Sequence, residues 1–244
     1  MYQERPSRAV AGAVLWRATG GGGVVLPDGC MDLLWTGGRL LVAGPDTGPH
    51  PAGEVPGDTV AGIRFAPGAA PALIGVPAHL LRDARTELTA LWPAREVRRL
   101  TGQLARYADP AAGLEALAVR RAAETGPPDP FPAEVVARLR AGEPVASIAA
   151  AVGFGERRLR RRSLDAFGYG ARTLGRILRL RRALGLACAG MPYAEVADVA
   201  GYADQAHLAR EVRALAGTTL GAYAAGSAGA KRETPQPSGS RTTA

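Results

Sequence analysis

Arginine can donate two parallel hydrogen bonds to a guanine edge, and glutamine can pair in the same way with adenine. Two stretches of this 244-residue chain place such side chains at the start of a helix-forming run. The first reads Val145-Ala-Ser-Ile-Ala-Ala-Ala-Val-Gly-Phe154, then Gly155-Glu-Arg-Arg-Leu-Arg-Arg-Arg162. The second reads Tyr193-Ala-Glu-Val-Ala-Asp-Val-Ala-Gly-Tyr202, then Ala203-Asp-Gln-Ala-His-Leu-Ala-Arg210. In the first, the residues leading the second segment are Glu156, Arg157, Arg160 and Arg161; in the second they are Gln205, Ala206, His207 and Arg210. Arg158, Arg160, Arg162 and Arg172 suit phosphates, contacts that position a protein without reading sequence. The chemistry expected of these groups is contact with double-stranded DNA, through both base edges and backbone.

Such side chains must be held by a scaffold, and the spacing predicts one. Val145, Ile148, Ala149 and Val152 recur at intervals of three and four, the apolar face of a short helix. Gly153 and Gly201 follow such faces, where a left-handed C-terminal cap is commonly needed. Phe154 and Tyr202 would then plug the core between two helices. Helices are predicted over 133–140, 156–167, 171–188, 195–200, 205–215 and 220–224, with Leu159 and Leu164 inward on the second. This is the outline of a helix-turn-helix, whose second helix enters the major groove. Two copies in one chain suggest a monomer reading two successive turns of DNA. Between them, 18 helical residues would form a strut of roughly 27 Å.

The N-terminal half reads differently. Val24-Val-Leu, Met31-Asp-Leu-Leu-Trp35, Arg39-Leu-Leu-Val-Ala43 and Val60-Ala-Gly-Ile-Arg-Phe65 are β-prone runs. Pro27-Asp-Gly29, Gly37-Gly38, Gly44-Pro45-Asp46 and Pro67-Gly68 punctuate them with turn chemistry, suggesting a small barrel or sandwich. Helical pieces follow at 72–74, 78–81, 95–107 and 112–124. The fold class expected is α+β, a small β-rich N-terminal domain with helices followed by an all-α domain. Gly126-Pro-Pro-Asp-Pro130 cannot continue a helix and makes a linker. The domains expected are 1–128, 131–225 and a disordered tail over 226–244.

Charge follows the same division. The net charge is +8, yet residues 1–130 balance 13 arginines against 13 acids. Residues 131–225 carry 14 arginines and 8 acids, and 155–182 alone holds 10 arginines and 2 acids. Arginine supplies 29 of the 30 basic residues, which codon bias explains; it does not explain why the excess lies in one half. A neutral half joined to a basic half fits one domain that meets a polyanion and one that does not. No apolar run is long enough for a membrane span, and Met-Tyr-Gln-Glu-Arg-Pro lacks the pattern of a signal peptide. Two cysteines, Cys30 and Cys188, argue against a disulfide framework and suit a reducing cytoplasm, the location expected.

The stretch 131–223 resembles the DNA-binding module of the AraC/XylS transcription regulators. The resemblance is carried by Ile148-Ala-Ala-Ala-Val-Gly-Phe-Gly-Glu-Arg-Arg-Leu-Arg-Arg-Arg162, Ala166-Phe-Gly-Tyr-Gly170, Arg176-Ile-Leu-Arg-Leu-Arg-Arg-Ala-Leu184, Ala197-Asp-Val-Ala-Gly-Tyr-Ala-Asp-Gln-Ala-His-Leu-Ala-Arg-Glu211 and Gly217-Thr-Thr-Leu-Gly-Ala-Tyr223. It implies base contacts from Arg157 and Arg161 in the first unit, and from Gln205, Ala206 and Arg210 in the second. Four positions depart from the family pattern. Ser163 and Val212 stand where a buried phenylalanine is usual, which predicts looser recognition helices; Ala171 and Leu220 stand where proline is usual. The N-terminal segments Leu26-Pro-Asp-Gly-Cys-Met-Asp-Leu-Leu-Trp35, Val42-Ala-Gly-Pro45 and Gly62-Ile-Arg-Phe-Ala-Pro-Gly68 resemble a cupin-like domain often attached to such modules. That likeness implies a sensor or dimerisation role with no assigned ligand.

These readings predict a sequence-specific transcription regulator controlled by an unknown small-molecule effector, with RNA polymerase and a second copy of the chain as further partners. A protein that dimerises and binds DNA without specificity is the alternative. Cys30 and Arg64 are the candidate effector contacts. Arg64, between Ile63 and Phe65, points either into a barrel, toward an anionic effector, or onto a solvated face. No CxxC, HxH or HxxxH spacing exists, so no metal is expected. Nor is a cofactor or an enzyme, because GxSxG, HExxH and P-loop patterns are missing.

Overall fold

The computed structural model describes residues 1–20, 23–52 and 59–230. In the N-terminal half, the strands are β1 (Tyr2–Pro6), β2 (Val14–Thr19), β3 (Val24–Val25), β4 (Asp32–Thr36), β5 (Arg39–Ala43), β6 (His50–Pro51), β7 (Thr59–Arg64) and β8 (Arg85–Glu87). Six of them form one antiparallel sheet in the order β1-β2-β7-β4-β5-β8, and β3 pairs with β6 apart from it. The sheet is open. Its outer strands β1 and β8 do not pair with each other, so the barrel allowed for by the sequence does not close. Three of the six strands, β1, β2 and β8, lay outside the runs picked out by β propensity. β1 (Tyr-Gln-Glu-Arg-Pro) and β8 (Arg-Thr-Glu) are polar edge strands, and edges need little apolar content.

Register explains which face is buried. Leu15, Ile63, Leu33 and Val42 stand side by side across β2, β7, β4 and β5. They pack against α1 (Ala70–Ile74), α2 (Ala94–Leu104) and α3 (Pro110–Thr125), joining Phe65, Leu100, Leu114 and Leu117 in one core. The next row, Trp16, Gly62, Leu34 and Leu41, faces the other way. A Cβ on Gly62 would lie 2.3 Å from the Trp16 ring, so only glycine lets that indole lie across the sheet.

Seven helices make the remainder: α4 (Pro130–Arg140), α5 (Val145–Ala151), α6 (Glu156–Phe167), α7 (Ala171–Cys188), α8 (Tyr193–Val199), α9 (Gln205–Ala216) and α10 (Leu220–Ala230). Asp129 begins α4 by accepting a hydrogen bond from the Phe131 N–H at 3.0 Å, and the Gly126-Pro-Pro stretch separates it from α3. Two cores lie around α7. Ile148, Leu159, Phe167, Leu174 and Ile177 share the first with Phe131 and Val135. Leu180, Leu184, Val196, Leu208, Val212 and Leu215 share the second. α10 covers 226–230 of the expected tail, and 231–244 lie outside the described residues.

Candidate nucleic-acid interface

The two turns are built alike, for a reason visible in the backbone. Gly153 and Gly201 have φ of 68° and 78°, the left-handed cap foreseen for them. After each glycine the aromatic N–H reaches back to a carbonyl five residues earlier: Phe154 to Ala149 at 2.9 Å, Tyr202 to Ala197 at 2.8 Å. This six-to-one bond is the Schellman arrangement that ends a helix and redirects the chain. Tyr202 is buried in the second core. Phe154 is half-buried, its ring centroid 5.6 Å from that of Phe131, and the Arg158 guanidinium lies 4.2 Å above its centroid.

On α6 the inward stripe is Leu159, Ser163 and Phe167, at intervals of four. Leu164, expected inward, is only half-buried. Glu156, Arg157, Arg160 and Arg161 are exposed, and none of the three arginines forms an ion pair among the described residues. No side chain caps the first turn of α6, whose N-cap is Gly155. Its leading N–H groups and the exposed arginines therefore form one positive surface suited to a phosphate backbone. Arg162 does not belong to it. It pairs with Asp129 and lies 4.9 Å over Phe131, so it ties α6 to α4. Arg172, on the first turn of α7, is exposed as expected of a phosphate contact.

On α9, Gln205, Ala206 and Arg210 are exposed. His207, expected to read bases, is half-buried. Its ring meets Tyr202 edge-on at 5.3 Å, and Nδ1 accepts the Ala203 N–H at 3.4 Å. The imidazole is folded back onto the turn, and Asp204 caps the helix by accepting the His207 N–H at 2.6 Å. Ser163 and Val212, which stand where phenylalanine is usual in the family, are both fully buried. Ser163 does leave its Oγ buried with no partner among the described residues. Ala171 and Leu220 open α7 and α10, the first helical position at which proline is also favoured.

Several residues outside the expected DNA contacts hold the interface. Arg176 of α7 donates two hydrogen bonds to Glu211 of α9, both 2.9 Å, and Arg179 lies 4.5 Å over the Tyr202 ring. The Arg176 bonds hold the Glu211 carboxyl below the usual carboxylate range. Arg176 and Glu211 are 35 residues apart, too far for any helical periodicity to pair them. Asp204 went unassigned, although a capping residue standing just before a helical run is a signal that could have found it.

The two candidate effector contacts meet in the N-terminal half. The Arg64 guanidinium Nε lies 3.2 Å from Asp28 and 3.3 Å from Asp32, and Trp16 Nε1 donates to Asp32 at 2.8 Å. Burial works against the Arg64 charge, but Asp32 and Asp28 more than compensate and hold its pKa above the ordinary value. Arg64 is thus neither on a solvated face nor an open cation for an anionic effector. Burial, with Asp28 adding, pushes the Cys30 thiol well up, the reverse of what a reactive thiolate needs. Among the described residues no group of His, Cys, Asp and Glu could hold a metal ion. No described helix is long and apolar enough to cross a membrane.

Residues 148–226 match the family described as "Helix-turn-helix domain", and residues 15–87 match "Domain of unknown function (DUF6597)". No curated protein matches the chain. Among solved structures, ToxT from Vibrio cholerae O395 superposes with a TM-score of 0.46 at 9% identity, over 91% of this chain and 96% of that one. A 1.65 Å structure of Vibrio cholerae ToxT gives 0.45 at 8%, over 91% and 97%. The unsaturated-fatty-acid-bound ToxT of Vibrio cholerae strain SCE256 gives 0.46 at 10%, over 91% and 94%. The C-terminal unit is a helix-turn-helix domain of the AraC type, the DNA-binding kind found in transcription regulators, and it follows an N-terminal DUF6597 domain.

Proposed function

We propose that this protein is a sequence-specific transcription regulator that lays α6 and α9 into neighbouring major-groove segments about one turn, roughly 34 Å, apart. The observation that carries this is the pair of exposed leading faces on two helices that follow the same turn. Arg157 and Arg161 on α6, and Gln205, Ala206 and Arg210 on α9, are the base readers; Arg158, Arg160 and Arg172 serve phosphates. We assign the working units to 1–128 and 131–225 and the site of action to the cytoplasm, with RNA polymerase and a second copy of the chain as protein partners.

In the same reading the N-terminal half responds to a small effector, which shifts the balance toward a DNA-competent arrangement. Support for this comes from a groove of about 480 Å³ between α2 and α3. It has Leu100, Leu104 and Leu117 at its floor and Arg106 and Arg120 at its rim. That volume is in the range of small-molecule sites. Selection from a random DNA pool with the full-length protein is the decisive experiment. A two-part enriched sequence is expected. Salt-sensitive binding without enrichment would favour a DNA-associated interaction protein and sink the specific reading. Thermal-shift screening of the full chain against anionic amphiphiles tests the effector separately.

A further inference from the structure

The repeat explains how each recognition helix is built, but not what sets the distance and angle between the two. α7 joins the two units, with one core packed on each half of it and the Arg176–Glu211 pair tying its first half to α9. Two loops of the N-terminal half touch both units. In the first loop, Leu26 is buried inside the second core, in the cluster of Leu180, Leu184 and Leu208. Three residues on, Gly29 has φ of 84°, and a Cβ there would lie 2.8 Å from Leu174 of the first core. One short loop thus enters both cores along α7.

The second loop does the same at the far ends of the recognition helices. α6 ends at Gly168 and α9 at Gly217, both left-handed, with φ of 80° and 66°. A Cβ on Gly168 would meet Pro45 Cγ at 2.4 Å, and one on Gly217 would meet Pro49 Cγ at 3.1 Å. His79 Nδ1 to Asp165 at 3.3 Å and Arg82 to the Gly168 carbonyl at 3.4 Å add to the hold on α6. All these contacts lie at the C-terminal ends or cores of the helices, leaving their leading faces free. We propose that loops 26–29 and 45–49 form a brace that sets the spacing at which the two recognition helices read DNA, with Leu26 and Pro49 as positioning residues.

The inference rests on the DNA-reading function above, and its test separates the two. The two-part sequence selected by the full-length protein is rebuilt as duplexes with one or two base pairs added or removed between its halves. Wild-type protein is expected to bind a wrong spacing about tenfold or more weakly. Leu26→Ala and Pro49→Ala should each reduce that discrimination to about threefold or less, while binding to a duplex carrying one half-site stays as in wild type. Val119→Ala, on the exposed side of α3, should behave as wild type. If Leu26→Ala does not fold, Pro49→Ala carries the test, because Pro49 lies on the surface. Unchanged spacing ratios in the folded variants, or an equal loss at every spacing, would overturn the brace. So would a selected site read by one helix only, although DNA reading would then stand. With no enriched sequence at all, both fall.

Discussion

Replacing Gly68 by alanine should cost more than the same change at Gly153, and the excess measures how tightly the two halves pack. Both glycines are left-handed, with φ of 82° and 68°. An L-residue there carries strain of about 1–2 kcal/mol. At Gly153 nothing lies within 4 Å of the added Cβ, so strain is the whole cost. At Gly68 the Cβ would lie 2.5 Å from Pro132 Cβ and 2.7 Å from Phe167 Cε1. Neither neighbour can step aside: the proline ring is tied to the start of α4, and Phe167 is fully buried. Overpacking adds about 1–3 kcal/mol, for a total of about 2–5 kcal/mol. Urea denaturation followed by far-ultraviolet circular dichroism compares the two variants. Equal losses would show that the seam yields freely, and the inference from close approach would be wrong.

Four further outcomes are expected. Arg161→Ala should lose about 1–3 kcal/mol at one base position and relax preference there, whereas Arg172→Ala should weaken all sequences alike and lower the salt slope by about one; identical behaviour of the two in binding titrations would refute the division of roles. Asp204→Ala removes the α9 cap and should cost about 1 kcal/mol of stability by denaturant titration, an effect that Asn at 204 should largely spare. Ser163→Ala removes a buried hydroxyl without a partner and should be neutral or stabilising by roughly 1 kcal/mol; a clear loss in the same titration would mean that the hydroxyl is bonded. Glu211 has a folded pKa below its unfolded one, so its pair with Arg176 contributes fully above the ordinary carboxylate range and is lost as pH falls through the folded value. Melting temperatures below about pH 5 should therefore drop less steeply for Glu211→Gln than for wild type, and parallel curves would contradict the assignment.

Local signals were legible where they were self-contained. The bounds of α6 and α7 follow from glycine and periodicity, and Gly153 and Gly201 announce their turns, because a cap needs only the residues beside it. Of the three missed strands, β1 and β8 lie at sheet edges, where strand formation depends on a neighbour already in place, whereas β2 lies inside the sheet between β1 and β7. His207 meets Tyr202 and Arg162 meets Asp129, contacts that spacing on one helix cannot show. Arg64 was misread, since Asp28 and Asp32 meet it only once β4 pairs with β7.

By itself, the sequence determined that two helix-turn-helix units follow a neutral β-rich half, and which faces of α6 and α9 stay polar. Periodicity, capping and charge are properties of short windows, and a window contains all that they need. Only the tertiary structure decided which polar groups remain free, that the sheet stays open, and that loops 26–29 and 45–49 reach both units. Those outcomes depend on pairs of residues far apart in the chain, and nothing in a local pattern records which distant partner will be within reach.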